Sequence, residues 1–201
     1  RPVFESNRAI RLHGSKEAQL FNAGVRTQDN IFLEGTCVEI GTPHTRPLFT
    51  TPKEVFLTAT QAHLYNTEMT GLEGITTSLQ GGKVTIGGNN LEPHFYSHKD
   101  IIFQGGDVEF IKAYLHTLGN IRFPLEAFQL TLGSEITGPH FEAGGSLNLT
   151  AQDLWIKNGH YTGLEGITAY AVQEILKVGT STTRPVFESN RAIRLHGSKE
   201  A

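Results

Sequence analysis

Asp107 and Glu109 stand two residues apart, so on an extended strand their carboxylates leave the same face. Such a pair on the flank of a stacked β-structure can hold calcium or a sugar. One pair is not a cluster, however, and a solvated face is the plainer expectation. Nine histidines raise the question of a metal. His94 and His140 each follow a proline at the same place in a repeat described below. If that repeat stacks two coils deep, the two rings lie about 9.6 Å apart, at about 4.8 Å per coil. Zinc binds its ligands at about 2.0–2.1 Å, so the pair cannot share one ion, and packing is the expected role.

The other reactive residue types are isolated. Glu73 and Glu165 recur within "TGLEGIT" (70–76 and 162–168), which reads as a duplicated turn. Asn148 opens the sequon "NLT" between two apolar residues, where its side chain faces outward. Trp155 and Tyr161 could form an aromatic platform for a sugar, but single aromatics more often pack. Arg46 and Arg184 fall in turns, where exposure is expected. Cys37 is the only cysteine, which excludes a disulfide framework and a cysteine metal cluster. There is no glycine-rich phosphate loop, no Ser/His/Asp grouping and no CxxC. The expectation is therefore no catalytic residue, no cofactor and no tightly bound metal.

The elements that would position these residues are repeats. Arg1–Ala18, "RPVFESNRAIRLHGSKEA", returns letter for letter at Arg184–Ala201, a period of 183 residues. The duplicate includes His13, which returns as His196. A finer period lies inside it. Gly41, Gly87, Gly133 and Gly179 are 46 apart, as are Pro47, Pro93, Pro139 and Pro185, and Phe49, Phe95, Phe141 and Phe187. The shared template is apolar–x–apolar–Gly–x5–Pro–x–Phe, and Pro2 and Phe4 join it one residue out of step. Four degenerate copies of about 46 residues fill the 183.

Period-two alternation identifies strands. Val38/Ile40, Val84/Ile86, Leu130/Leu132 and Leu176/Val178 flank a polar residue in every copy. Leu12, Leu57, Phe103, Leu149 and Leu195 form a second ladder, each two residues after Ile10, Val55, Ile101, Leu147 or Ile193. A looser third strand runs through "QLFN" (19–22), "HLYN" (63–66) and "LWIKN" (154–158). The segment "GDVEFIKAYLHTL" (106–118) fits both the helical and the strand period. "TAYAVQEILKV" reads as a helix in isolation, but its aligned copies make its end a strand. "TGLEGIT" is 92 residues from its twin, so the copies also alternate in pairs.

A unit with three or four short strands cannot bury its apolar face alone and must stack on neighbours. The expected fold is all-β: a parallel β-solenoid of about eight coils, two of about 23 residues per repeat. A long coil and a short one are expected to break at Gly81/Gly82. The whole chain is expected to form one array, with units near 8–54, 55–100, 101–145 and 146–190, and with 191–201 beginning the next period. β-Propeller blades are the alternative, although Trp-Asp and kelch signatures are absent and an open array need not close.

"GGSLNLTAQDLWIKNG" (144–159) resembles the β-solenoid shafts of filamentous-haemagglutinin-like surface adhesins. "SNRAIRLHGSKEAQLFNAGV" (6–25) is similar to the repeats of large secreted surface proteins of gliding bacteria. The resemblance implies an extracellular, elongated, non-catalytic stalk whose partners are further copies of itself, head to tail. A net charge of −3 does not suggest nucleic acid, and no apolar run approaches the about 18 residues of a membrane span. The expected function is a structural repeat segment of a fibre or adhesin at the cell surface. A carbohydrate-active β-helix enzyme or carbohydrate-binding repeat protein is the alternative.

Overall fold

In the computed structural model, which describes residues 2–124, 128–173 and 176–197, the chain is a parallel β-solenoid. Among these residues it makes nine coils. The coils stack as a three-sided column whose faces are continuous parallel sheets. The first face takes one short strand from each coil: Val3–Ser6, Gly24–Thr27, Leu48–Thr51, Glu68–Gly71, His94–Ser97, Tyr114–Thr117, His140–Ala143, His160–Gly163 and Val186–Glu188. The second and third faces share one long, bent strand in each of the first three coils: Ile10–Leu20, Ile31–Ile40 and Glu54–Leu64. A register shift between Gly14 and Glu17 marks the bend.

From the fourth coil that strand divides. Gly74–Leu79 continues the second face and Lys83–Ile86 the third, joined through Gln80–Gly81–Gly82. Gly81/Gly82 is therefore a corner within one coil, and the expected coil boundary there is corrected. Both glycines fit the corner. Gly81 has φ +80°, and a Cβ on Gly82 would meet the Thr60 carbonyl oxygen. The ambiguous 106–118 segment is strand, corner and strand: Asp107–Phe110 on the third face, Tyr114–Thr117 on the first. "TAYA" (168–171) closes the strand Gly166–Ala171, and Leu176–Val178 is a further strand, with 174–175 outside the described residues.

Inward and outward residues alternate along each face, as the pleat requires, and the long strands shift phase by one residue at their bend. In Glu54–Leu64 the inner Val55, Leu57, Ala59, Ala62 and Leu64 are all buried. Each inner position heads a ladder up the column. Ile10, Ile31, Val55, Ile75, Ile101, Ile121, Leu147, Ile167 and Ile193 are successive partners on the second face. On the first face the ladder runs Phe4, Val25, Phe49, Met69, Phe95, Leu115, Phe141, Tyr161, Phe187. The template phenylalanines thus occupy alternate coils, and a smaller or differently shaped apolar residue separates most of them. Phe103, Phe110, Phe123 and Phe141 meet in the middle of the column at ring separations of 4.9–6.1 Å, edge-on or offset.

The 46-residue period is two coils because the corners from third face to first alternate in length. Ile40 to Leu48, Ile86 to His94, Leu132 to His140 and Val178 to Val186 are each bridged by seven residues, and the corners between them by three. The template glycine opens every long corner. Gly41, Gly87, Gly133 and Gly179 have φ of +80° to +84°, and each N–H donates to a carbonyl one coil below, on Leu20, Leu64, Phe110 and Ile156. The template proline closes the corner. The carbonyls of Pro47, Pro93 and Pro139 accept from the N–H of Glu68, Tyr114 and His160 above.

The corner from first face to second explains the 92-residue alternation. In the fourth and eighth coils it is the two-residue turn inside "TGLEGIT", where a Cβ on Gly71 or Gly163 would strike the carbonyl of Gly74 or Gly166. In the second and sixth coils the corner is equally long between paired positions, Thr27 to Ile31 and Thr117 to Ile121 against Gly71 to Ile75 and Gly163 to Ile167, but it is organised by a buried threonine. The Thr27 hydroxyl accepts from the Asp29 N–H and donates to the Arg8 carbonyl; Thr117 does the same with Gly119 and Lys99. Among the described residues no buried side-chain polar atom lacks a hydrogen-bond partner, and no helix is long and apolar enough to cross a membrane.

Candidate functional site

The acids singled out in the sequence do not converge. Asp107 and Glu109 share the outer side of one third-face strand, but each is engaged along the column. The Asp107 carboxylate accepts the Gln129 N–H at 3.1 Å, and Glu109 pairs with Lys83 at 2.6 Å. Glu73 likewise lies 2.9 Å from the Lys53 ammonium, whose hydrogen bond holds that carboxyl below its ordinary value. Trp155 and Tyr161 do not form a platform. Tyr161 is wholly buried in the first-face ladder, with its hydroxyl donating to the Asn158 carbonyl and its pKa pushed far up by burial. Trp155 lies outside on the third face, with the Lys177 ammonium 4.3 Å from its ring centroid.

Asn148 sits on the outer side of the second face between Arg122 and Thr168. Arg46 approaches Glu68 at 3.9 Å. Cys37 is flanked by Glu39 and Glu17. Burial first and those carboxylates second raise its thiol pKa, the opposite of what a nucleophilic cysteine needs.

The richest side-chain cluster lies on the outer side of the first face. His94 and His140 are in it, but with a neighbour in the intervening coil. The column runs Glu68, His94, Tyr114, His140, His160 in successive coils. The His94 and Tyr114 rings are 5.5 Å apart, Tyr114 and His140 5.1 Å, and His140 and His160 4.9 Å. The adjacent outer column carries Tyr96, His116, Glu142, Thr162 and Glu188. Tyr96 and His116 stack in parallel at 5.3 Å. Glu142 is the hub: one carboxylate oxygen accepts from the Tyr114 hydroxyl at 2.8 Å and lies 3.0 Å from His116 Nδ1. His160 meets Glu188 at 3.1 Å.

The electrostatics of this face are those of a stacked column. His116 first and Tyr114 second hold the Glu142 carboxyl below its ordinary value. Burial, then the Glu142 hydrogen bond and charge, push Tyr114 up to about 12, so the phenol is deactivated and serves as a donor. Partial burial lowers His94, helped by Arg46, and lowers His140, helped by His160. Both imidazoles are therefore held neutral at pH 7. Among the described residues no three histidine, cysteine or carboxylate groups are placed to hold a metal ion. The sequence does contain a signal for the missed neighbours: Tyr114 and His160 each lie 20 residues after the histidine they stack on.

No protein-family model, curated protein or solved structure matches the chain.

Proposed function

We propose that this chain is a structural repeat segment of a long extracellular fibre or adhesin stalk, with further copies of itself as its neighbours along the axis. One observation carries the reading: the coil that repeats the first coil's sequence continues the same ladders at the far end. Val186–Glu188 and Ile193–Gly197 begin 183 residues after the first-coil strands Val3–Ser6 and Ile10–Leu20. Phe187, Ile193 and Leu195 stand in the ladders of Phe4, Ile10 and Leu12. Arg1 and the last four residues of the duplicate, 198–201, lie outside the described residues.

Both ends of the column present core. Phe4 is 48 % exposed, whereas Phe49 and Phe141 are fully buried. Ile193 and Leu195 are 42 % and 46 % exposed, whereas Leu147 and Leu149 are fully buried. Burying such a side chain stabilises by about 1.5–3 kcal/mol, so both ends favour a further coil. Among the described residues the end strands each have one unpaired edge, which acts the same way. Polar side chains are engaged between coils, Lys53 with Glu73, Lys83 with Glu109, and Tyr114 and His116 with Glu142, which suits a load-carrying shaft.

Immunogold labelling of intact source cells with an antibody to this chain tests the reading. Gold along thin surface filaments is the expected result. Label that enters only lysed cells would overturn it.

A further inference from the structure

The seat that holds the ninth coil has a specific composition. On the first face His160, Tyr161 and Thr162 pair with Val186, Phe187 and Glu188. On the second, Ile167, Thr168, Ala169, Tyr170 and Ala171 pair with Ile193, Arg194, Leu195, His196 and Gly197. The Ser189 hydroxyl donates to the Gly163 carbonyl at 2.6 Å, and the Tyr161 and Phe187 rings lie 5.3 Å apart. Every residue that fills this seat is also present, in the same order, at 3–14. Residues 3–14 pair with the second coil through one edge only, so their other edge is open among the described residues. That open edge is the one residues 186–197 use against the eighth coil.

We propose that the eighth coil is a strand-exchange joint: the first coil of a second copy displaces residues 184–197 and takes their place, joining copies head to tail. The exchange rests on the fibre reading above and supplies the partner, the segment and the register. The incoming copy also reaches the third face: its Glu17–Leu20 falls in register over Leu176–Val178, the last described strand of that face, where Val178 is 42 % exposed. The resident segment has the advantage of tethering, equivalent to a millimolar local concentration. Exchange is therefore slow and concentration-dependent, and an irreversible trap is needed to read it.

Thr168 faces Arg194 across the joint, and Arg11 is the copy of Arg194. In the full chain carrying Cys37→Ser, the pair Arg11→Cys with Thr168→Cys can form a disulfide only between copies, since the two positions lie at opposite ends of one column. Neighbouring parallel strands at about 4.8 Å fall within the Cα separation of about 4.4–6.8 Å that a disulfide spans. Under mild oxidation a ladder of disulfide-linked multiples of the monomer mass is expected. Thr168→Cys with Arg194→Cys should instead lock the resident segment and leave only monomer. His13→Cys with Tyr170→Cys repeats the trap at the next rung, should the first pair disturb folding. Chains that fold, keep both thiols free in the trapping pairs and still close the locking pair would overturn the exchange. The fibre reading would survive that outcome if tandem copies of the 183-residue period still form rods; it fails only if those collapse.

Discussion

The template glycines show what a single residue must do in a stacked coil. Gly81 and Gly87 share φ +80°, but a Cβ on Gly81 meets nothing within 4 Å, whereas one on Gly87 would lie 1.7 Å from the Lys112 carbonyl oxygen of the next coil. Gly81→Ala is expected to cost about 1–2 kcal/mol, the ordinary left-handed penalty. Gly87→Ala adds the displacement of a neighbouring backbone and should cost on the order of 3–5 kcal/mol. Urea midpoints of the two variants give the comparison; equal losses would mean that the short corner does not press on the long one. The core makes a similar contrast. Phe141→Ala should cost about 3–5 kcal/mol, because it empties the centre of the ring cluster. Trp155→Ala, outside among lysines, should stay within about 1 kcal/mol.

At the scale of the element, the first face carries a pH dependence. His94 and His140 have native pKa values below the ordinary 6.5, so between those values and pH 6.5 the unfolded chain binds more protons. Stability is therefore full above about pH 6.5 and falls as pH drops toward the lowered native values. Glu142, also lowered, adds a second loss of the same sign at more acid pH, below its ordinary 4.5. Urea midpoints measured from pH 7.5 to pH 3.5 should fall in these two stages. His140→Phe should reduce the first stage, and an unchanged first stage would remove His140 from the account.

The strands themselves were legible in sequence wherever the same alternation recurred every 46 residues. Half of each ladder was not. Ile31, Ile75, Ile121 and Ile167 belong to the same column as Ile10, Val55, Ile101 and Leu147, yet they follow by 20 or 21 residues and precede the next by 24 or 26. Corners of three and seven residues cause that alternation, and a search at one fixed period passes over it. The histidine–tyrosine column is hidden in sequence for the same reason: His94 and His140 align at the 46-residue period, and the coil between them holds Tyr114, the residue both touch. The coil boundary expected at Gly81/Gly82 is instead a corner within one coil, because a glycine pair marks a corner without saying which face it leaves.

The whole molecule is a column of stacked parallel coils. Ladders on the first and second faces run from the first coil to the ninth, and the ninth reproduces the residues of the first, so a period of 183 residues is eight coils and advances about 38 Å. Small-angle X-ray scattering from polypeptides with one, two and three tandem copies of that period is the most direct measurement. The maximum dimension should rise by about 38 Å for each added copy while the cross-sectional radius stays constant. A dimension that grows with the cube root of mass, or by steps unrelated to eight coils, would contradict the account.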